Sequence, residues 1–410
     1  MFSRNARLFL LATFLNGFTL GIWTVLFNLY LLNLGFHEDF IGYTFLLGGL
    51  AAGLAAFPVG VLSDKIGRKK SLLAGVIVGS IFNAILVYTS NPILLLTVSL
   101  FGGFGGLFSI IIWVVGPPFM MENSKPDERT HLFGINLATW FLSNMAGSFA
   151  GGFLPGVFSG LLGVETESVM VYRVTLTVSV VFLFLSLLPY RMIKERQHQK
   201  NNATTASRLS LKAIQSRDVM GKLVLVLAPI GLGAGLIVPF FNVFFKNKLE
   251  ATPEQIGIIF ALGNVMTAVG IVLAPVVSGR LGKVHAIAFT QLSSIPFIFG
   301  IAFSPNLGFA AVSYLARGAL MVMGTPIYQN LAMEVVQTEE RATTSGLTTM
   351  ADRIPRAVGS SIAGQMMTQG NYVLPYMMTS AFYFFASTLF LTFFQKTEKA
   401  TPSKAKEGTT

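Results

Sequence analysis

Gly60-Val61-Leu62-Ser63-Asp64-Lys65-Ile66-Gly67-Arg68-Lys69-Lys70 packs five charges into eleven residues between two long apolar runs, 40–62 and 71–89. About 20 apolar residues at 1.5 Å rise span a hydrocarbon core of about 30 Å. The stretch therefore reads as a tight polar turn joining two membrane-spanning helices, with Gly67 supplying the backbone freedom. Asp64 stands where it can pair with Arg68 or meet the positive end of another helix.

Working outward, the whole chain repeats this grammar. Apolar blocks fall at 8–33, 40–62, 71–89, 93–120, 132–158, 170–189, 223–245, 256–278, 285–303, 307–332, 344–368 and 373–394. Only 11% of the 410 residues are charged and 53% are hydrophobic, whereas soluble domains carry roughly 25% charged residues. Barrel strands would alternate apolar and polar over about 10 residues, which these blocks do not. The expected fold is an all-α membrane protein with twelve transmembrane helices. The first block, from Leu8, is too long for a signal-peptide core and reads as a retained span. Residues 1–190 and 223–394 are the expected bundles. Residues 191–222 read as a polar linker with one amphipathic helix near Leu209–Asp218, and 395–410 as a mobile polar tail.

Lys and Arg set the orientation. Arg4, Arg7, Lys65, Arg68, Lys69, Lys70, Lys125, Arg129, Arg280, Lys283, Arg341, eight in the linker and four in the tail share one face, 23 of 29. Arg173, Lys246 and Lys248 fall on the other. Positive residues stay inside, so both termini are expected in the cytoplasm of an inner-membrane protein. The net charge of +11 then answers anionic lipid headgroups, and no nucleic acid is implied. There is no cysteine, and His37, His131, His198 and His285 lie scattered. Disulfides, thiolate metal sites and other metal centres are not expected, nor is any cofactor.

The chain also repeats itself. Phe27-Asn28-x-Tyr30-x-x-Asn33 returns as Phe241-Asn242-x-Phe244-x-x-Asn247, and Ile41-Gly42 with Phe45 and Gly48 as Ile256-Gly257 with Phe260 and Gly263. Glu122-x4-Asp127-Glu128-Arg129-x4-Gly134 returns as Glu334-x4-Glu339-Glu340-Arg341-x4-Gly346, and Gly147-Ser148-x-x-Gly151-Gly152 as Gly359-Ser360-x-x-Ala363-Gly364. Six spans separate the copies, so the halves run parallel and should enclose a site near the midplane.

Set among these spans, Gly60–Lys70 closely resembles the G-x-L-[A/S]-D-[R/K]-x-G-[R/K]-[R/K] signature of the major facilitator superfamily, and the resemblance covers essentially the whole chain. It implies two pseudo-symmetric six-helix bundles and a secondary transporter of the drug-efflux-like branch, working as a monomer. Gly60, Asp64, Gly67, Arg68 and Lys69 match the motif taken in that family as a conformational latch. Glu122 with Arg129, and Glu334 with Arg341, look like its companion charges. The second-half counterpart, Ser278-Gly279-Arg280-Leu281-Gly282-Lys283, keeps the turn but lacks the acid. Gly134-x8-Ser143-x3-Gly147-Ser148-x2-Gly151-Gly152 resembles the antiporter motif G-x8-G-x3-G-P-x2-G-G, with serines at two of its positions. That resemblance implies export; plain helix packing through small residues is the competing reading. Ser99 stands where drug–proton exporters often carry arginine, which argues against proton coupling through the first half.

The intramembrane charges lie in the second half: Arg317, Asp352, Arg353 and Arg356. Such residues normally face a cavity or a partner, and Asp352 and Arg356 share a helix face. Asp352 is the expected protonation site, and the arginines its counter-charges or anchors for an anionic group. Asn28, Asn242, Asn136, Asn144, Trp140 and Tyr43 are expected to line the cavity, with Asn16, Trp23, Trp113, Asn264 and Gln291 as further candidates. The expected activity is alternating-access transport of a small organic, amphiphilic or anionic solute, by proton-coupled efflux. A symporter or facilitator for an anionic metabolite, an amphiphile flippase and a non-transporting receptor stay open. No nucleotide-binding loop or catalytic constellation is found in the sequence.

Overall fold

The computed structural model describes residues 2–103, 106, 110–194, 216–337 and 340–399. The first half holds α1 (Arg4–Asn33), α2 (Glu38–Ile66), α3 (Arg68–Tyr88), α4 (Pro92–Ser99), α5 (Ile110–Glu122), α6 (Arg129–Leu162), α7 (Val169–Leu185) and α8 (Leu187–Met192). The second holds α9 (Arg217–Ile237), a 3₁₀ turn at Val238–Phe240, α10 (Phe241–Leu249), α11 (Pro253–Leu281), α12 (Lys283–Ala302), α13 (Leu307–Glu334), α14 (Arg341–Thr368) and α15 (Leu374–Lys399). Every regular element among the described residues is a helix. Several overrun the apolar block that announced them, because the block measures only the hydrocarbon while the helix continues into the headgroup layer. Thus α9 begins at Arg217 and α15 continues to Lys399. The expected linker helix lies outside the described residues as far as 215, and the tail does from 400 onward.

Ten helical stretches are long and apolar enough to cross a membrane. The other two expected crossings depart for different reasons. The fourth is not one helix: α4 stops at Ser99, and Gly103 takes a φ of +78°. Its backbone N–H donates to Asn83 Oδ1 at 2.6 Å, supplying the partner that irregular backbone needs away from water. The eleventh, α14, is 28 residues long but carries Asp352, Arg353 and Arg356, too much polarity for a lipid-facing span.

The seventh crossing breaks at Pro239. Proline has no N–H and clashes with the carbonyl four residues back, so α9 ends at Ile237 and α10 restarts at Phe241 after the 3₁₀ turn. In an unbroken helix Val243 N–H would bond Pro239 O. Here it donates to Asn242 Oδ1 at 2.9 Å, and Pro239 O receives Asn28 Nδ2 from the other half at 2.6 Å.

Glycine brings backbones together at symmetric places. A Cβ at Gly21 on α1 would lie 2.3 Å from Asn144 O on α6, and one at Gly235 on α9 would lie 2.0 Å from Arg356 O on α14. Each half is thus seamed by its first and fifth crossings. The halves meet through α2 with α14 and α6 with α11. Gly152 approaches Gly257, and Gly364 approaches Glu38 and Asp39. The turns opening α3 and α12 correspond too, with Gly67 at φ +96° and Gly282 at φ +78°.

The two ends of the molecule differ. At the end away from the termini, Asn28 Nδ2 donates to Asn242 Oδ1 (2.9 Å), and Asn242 Nδ2 to Thr24 O and Val25 O (3.1 Å each). Lys246 pairs with Glu167, and Asn247 and Tyr372 both donate to Glu38 Oε1, at 2.9 and 2.5 Å. Burial and that bond push the Tyr372 hydroxyl up to about 12. At the terminal end Arg68 pairs with Asp64 and Glu122, and Lys283 with Glu334, each within its own half. The distal end is closed.

Candidate functional site: a cavity between the halves

A cavity of about 650 Å³ lies beneath the closed distal seam, reaching from Asn28 and Asn242 to Gln329 and Thr348. The last two lie within two turns of the terminal ends of α13 and α14. Its lining is unequal. The first half contributes Leu20, Trp23, Thr24, Phe27, Asn28, Phe45, Asn144 and Ser148; the second contributes the rest, including Asp352 and all three intramembrane arginines. One acid against three arginines leaves two positive charges unmatched by acids in the lining.

Each charge has a defined seat. The carboxylate of Asp352 meets Arg356 through Nη2 at 2.7 Å and Nε at 3.3 Å, the one-turn pairing their spacing predicts. That turn is held from behind by α9, whose Gly231 and Gly235 lie against the backbones of Asp352 and Arg356. Arg353 shares the lining and makes no hydrogen bond among the described residues. Arg317, only 6% exposed, donates from Nη2 to Tyr383 Oη at 3.3 Å. Its guanidinium stands 5.2 Å from the centre of the Phe241 ring. Asn264 Nδ2 donates to Asn144 Oδ1 at 3.1 Å, joining α11 to α6 across the halves. Ser387 Oγ donates to Gln291 Oε1 at 2.9 Å, tying α12 to α15.

Of the expected cavity residues, Asn28, Asn242 and Asn144 are brought together with the four charges, as are Trp23, Asn264 and Gln291. Asn136, Trp140 and Tyr43 are not among the lining residues. Asn136 accepts from Thr13 Oγ1 at 2.9 Å in the α1–α6 seam, Trp140 packs edge-on against Trp113, and Tyr43 receives Gln365 Nε2 at 3.4 Å. Each meets a neighbour on another helix that the spacing along its own helix could not reveal. Tyr314, Tyr383 and Phe241, which surround Arg317, belonged to no expected set. Gly231 and Gly235 had a readable signal, since Gly17-x3-Gly21 repeats as Gly231-x3-Gly235.

The motif residues gather at the terminal end. Arg68 contacts Asp64 at 2.6 Å, Glu122 at 3.2 Å and Ser63 Oγ at 2.6 Å. Lys69 donates to Ile193 O at 2.7 Å, and Gly60 lies against Val114. In the second half Lys283 takes the place of Arg68, meeting Glu334 at 2.5 Å and Asn330 at 2.6 Å. The structure thus joins Glu122 to Arg68 and Glu334 to Lys283, while Arg341 Nε donates to Met333 O at 2.9 Å. The buried Arg129 Nε has no acceptor. Among the described residues no group of three His, Asp or Glu is placed to hold a metal ion.

The sequence profile of the Major Facilitator Superfamily matches residues 9–360 and, a second time, 223–409. An uncharacterised MFS-type transporter of Methanocaldococcus jannaschii is 22% identical over 376 residues, covering 87% of this chain and 89% of that protein. Among solved structures, the nucleoside transporter NupG superposes with a TM-score of 0.75 at 14% identity, over 96% of this chain and 100% of its own. A D-xylose–proton symporter gives 0.74 at 14%, over 95% and 97%. A bacterial homologue of the iron transporter ferroportin, in an inward-facing state, gives 0.73 at 14%, over 95% and 98%.

Proposed function

Because this chain belongs to the major facilitator superfamily and is a membrane transporter of that family, we propose that it moves a small organic anion through the inter-half cavity by proton-coupled alternating access. The observation that carries the reading is the Asp352–Arg356 pair, set in the lining of a cavity closed at one end and enriched in arginine. Protonating Asp352 removes the negative partner of Arg356, freeing a cation inside a low-dielectric pocket where an anion is strongly attracted. Binding of proton and solute are thereby linked through one turn of α14. Gly231 and Gly235 press that turn against α9, so a change in its charge acts directly on a helix seam.

The remaining assignments follow the same reading. The termini face the cytoplasm of the plasma membrane, where the basic residues collect, and the distal seam faces outward. Gly60, Asp64, Gly67, Arg68 and Lys69, with Glu122, Arg129, Glu334 and Arg341, form the cytoplasmic latch, and a single chain is the working unit. Residues 1–190 and 223–394 rock as the two bodies. Export is the direction favoured, because Gly134-x8-Ser143-x3-Gly147-Ser148-x2-Gly151-Gly152 on α6 resembles the antiporter motif.

The test is solute flux in proteoliposomes under an imposed pH gradient, across a panel of organic anions, comparing wild type with Asp352→Asn. The pH-driven component is lost in the variant while the folded yield is kept. Equal pH-driven flux in both proteins rejects the coupling role.

A further inference from the structure

Given that this cavity is the solute's path, as proposed above, we infer that the solute is an organic acid with a flat aromatic body and that Arg317 is the anchor for its anionic group. The cations in the lining are not equivalent. Arg353 and Arg356 follow Asp352 within one turn of α14, and its carboxylate already pairs with Arg356. Arg317 stands on α13 and pairs with no acid among the described residues. Its one hydrogen bond goes to a neutral phenol, and its buried Nε has no acceptor. A buried guanidinium so poorly compensated is unfavourable unless an anion completes its shell. Its planar fork suits a carboxylate, which it can meet with two parallel bonds.

The surroundings select the rest of the molecule. Phe241 lies edge-on to Tyr314 at 4.9 Å, and Tyr314 stacks with Phe260 at 5.5 Å, building an aromatic wall beside Arg317. On the first half Trp23 stacks on Phe27 at 4.6 Å. Rigid rings present flat faces with little conformational entropy to lose, and they favour an aromatic guest. Of the buried polar atoms without partners, two belong to residues that line the cavity: Arg317 Nε and Trp23 Nε1. Both are donors, one from each half. The complementary solute carries an anionic group at one end and a neutral acceptor, such as a carbonyl, at the other. It spans the two bodies whose relative motion carries it.

A suitable probe is 4-acetylbenzoate, with the neutral 4-acetylbenzamide as control, titrated into the purified full-length chain by tryptophan-fluorescence quenching and thermal shift. Wild type binds the acid at least about tenfold more tightly than the amide, the worth of one charge-assisted pair. Arg317→Gln abolishes that preference and Arg353→Gln keeps it, while Trp23→Phe, read by thermal shift because it removes the fluorophore of the cavity lining, weakens acid and amide alike. Should Arg317→Gln fail to fold, Arg317→Lys decides. Weaker acid binding with unchanged amide binding supports the anchor, and no change in either overturns it. Equal affinity of wild type for acid and amide also overturns it. Acid-selective binding without any pH-driven flux supports the anchor while refuting the coupled-transport reading. Conversely, pH-driven flux of succinate with no binding of the aromatic acid overturns the inference and leaves that reading standing.

Discussion

Asn242→Ala should make the closed end of the molecule open more often. Four hydrogen bonds cross between the halves at this point, and Asn242 takes part in three, at 2.9, 3.1 and 3.1 Å. Only the bond from Asn28 to Pro239 O, at 2.6 Å, survives the substitution. Each neutral bond contributes about 0.5–1.5 kcal/mol net. The carbonyls of Thr24 and Val25 also serve the backbone ladder of α1, so their loss is felt less, and a total of about 1–3 kcal/mol is expected. Taken off the closed state alone, that shifts the open-to-closed ratio by roughly 5–150-fold. The chain has no cysteine, so Leu20→Cys, in the cavity wall below the seam, places a single thiol there. In right-side-out vesicles a membrane-impermeant maleimide should label that thiol at least about fivefold faster when Asn242→Ala is added. If labelling is unchanged while the variant folds normally, these bonds do not hold the distal seam shut.

Two further expectations concern packing and pH. A Cβ at Gly235 would meet Arg356 O at 2.0 Å, Arg356 C at 2.8 Å and Arg356 Cα at 2.9 Å. None is the end of a side chain that could swing away, so α9 and α14 must part. Gly235→Ala should therefore destabilise by about 1–3 kcal/mol and reduce transport. Gly221→Ala on the same helix meets nothing within 4 Å and should be neutral or slightly stabilising in thermal unfolding. The Tyr372 hydroxyl, raised from 10.0 to about 12, holds its proton more firmly folded than unfolded. Its contribution is fully present below pH about 10 and is lost as pH rises toward about 12. Tyr372→Phe should lower the unfolding midpoint below pH 10 and flatten its fall between those values, and a parallel fall in both proteins would contradict this.

The legibility of the molecule varied with the kind of information needed. The Gly67 turn, the Asp64–Arg68 pair and the Asp352–Arg356 pair were all visible as short spacings, because a helix fixes which residues four apart share a face. The fourth crossing misled, since a run of apolar residues cannot reveal that Gly103 leaves the helix. Asn28 and Asn242 showed themselves as a repeat, but spacing along the chain does not show that their side chains meet across the halves. Arg317 was recognisable as a buried charge; its partners Tyr383 and Phe241 were not.

What the amino-acid sequence determined alone was the helical spans other than the fourth, their spacing, and the parallel duplication, because these depend on local composition measured against a fixed hydrocarbon thickness. Which polar side chains meet in the cavity was decided only by tertiary packing. Lipid is as apolar as the helix surface, so hydrophobicity scarcely prefers one rotation of a spanning helix over another. Glycine seams such as Gly21 against Asn144 and Gly235 against Arg356 set that rotation. They place Asp352 of α14 in the pocket lining and leave Asn136 of α6 in the α1–α6 seam.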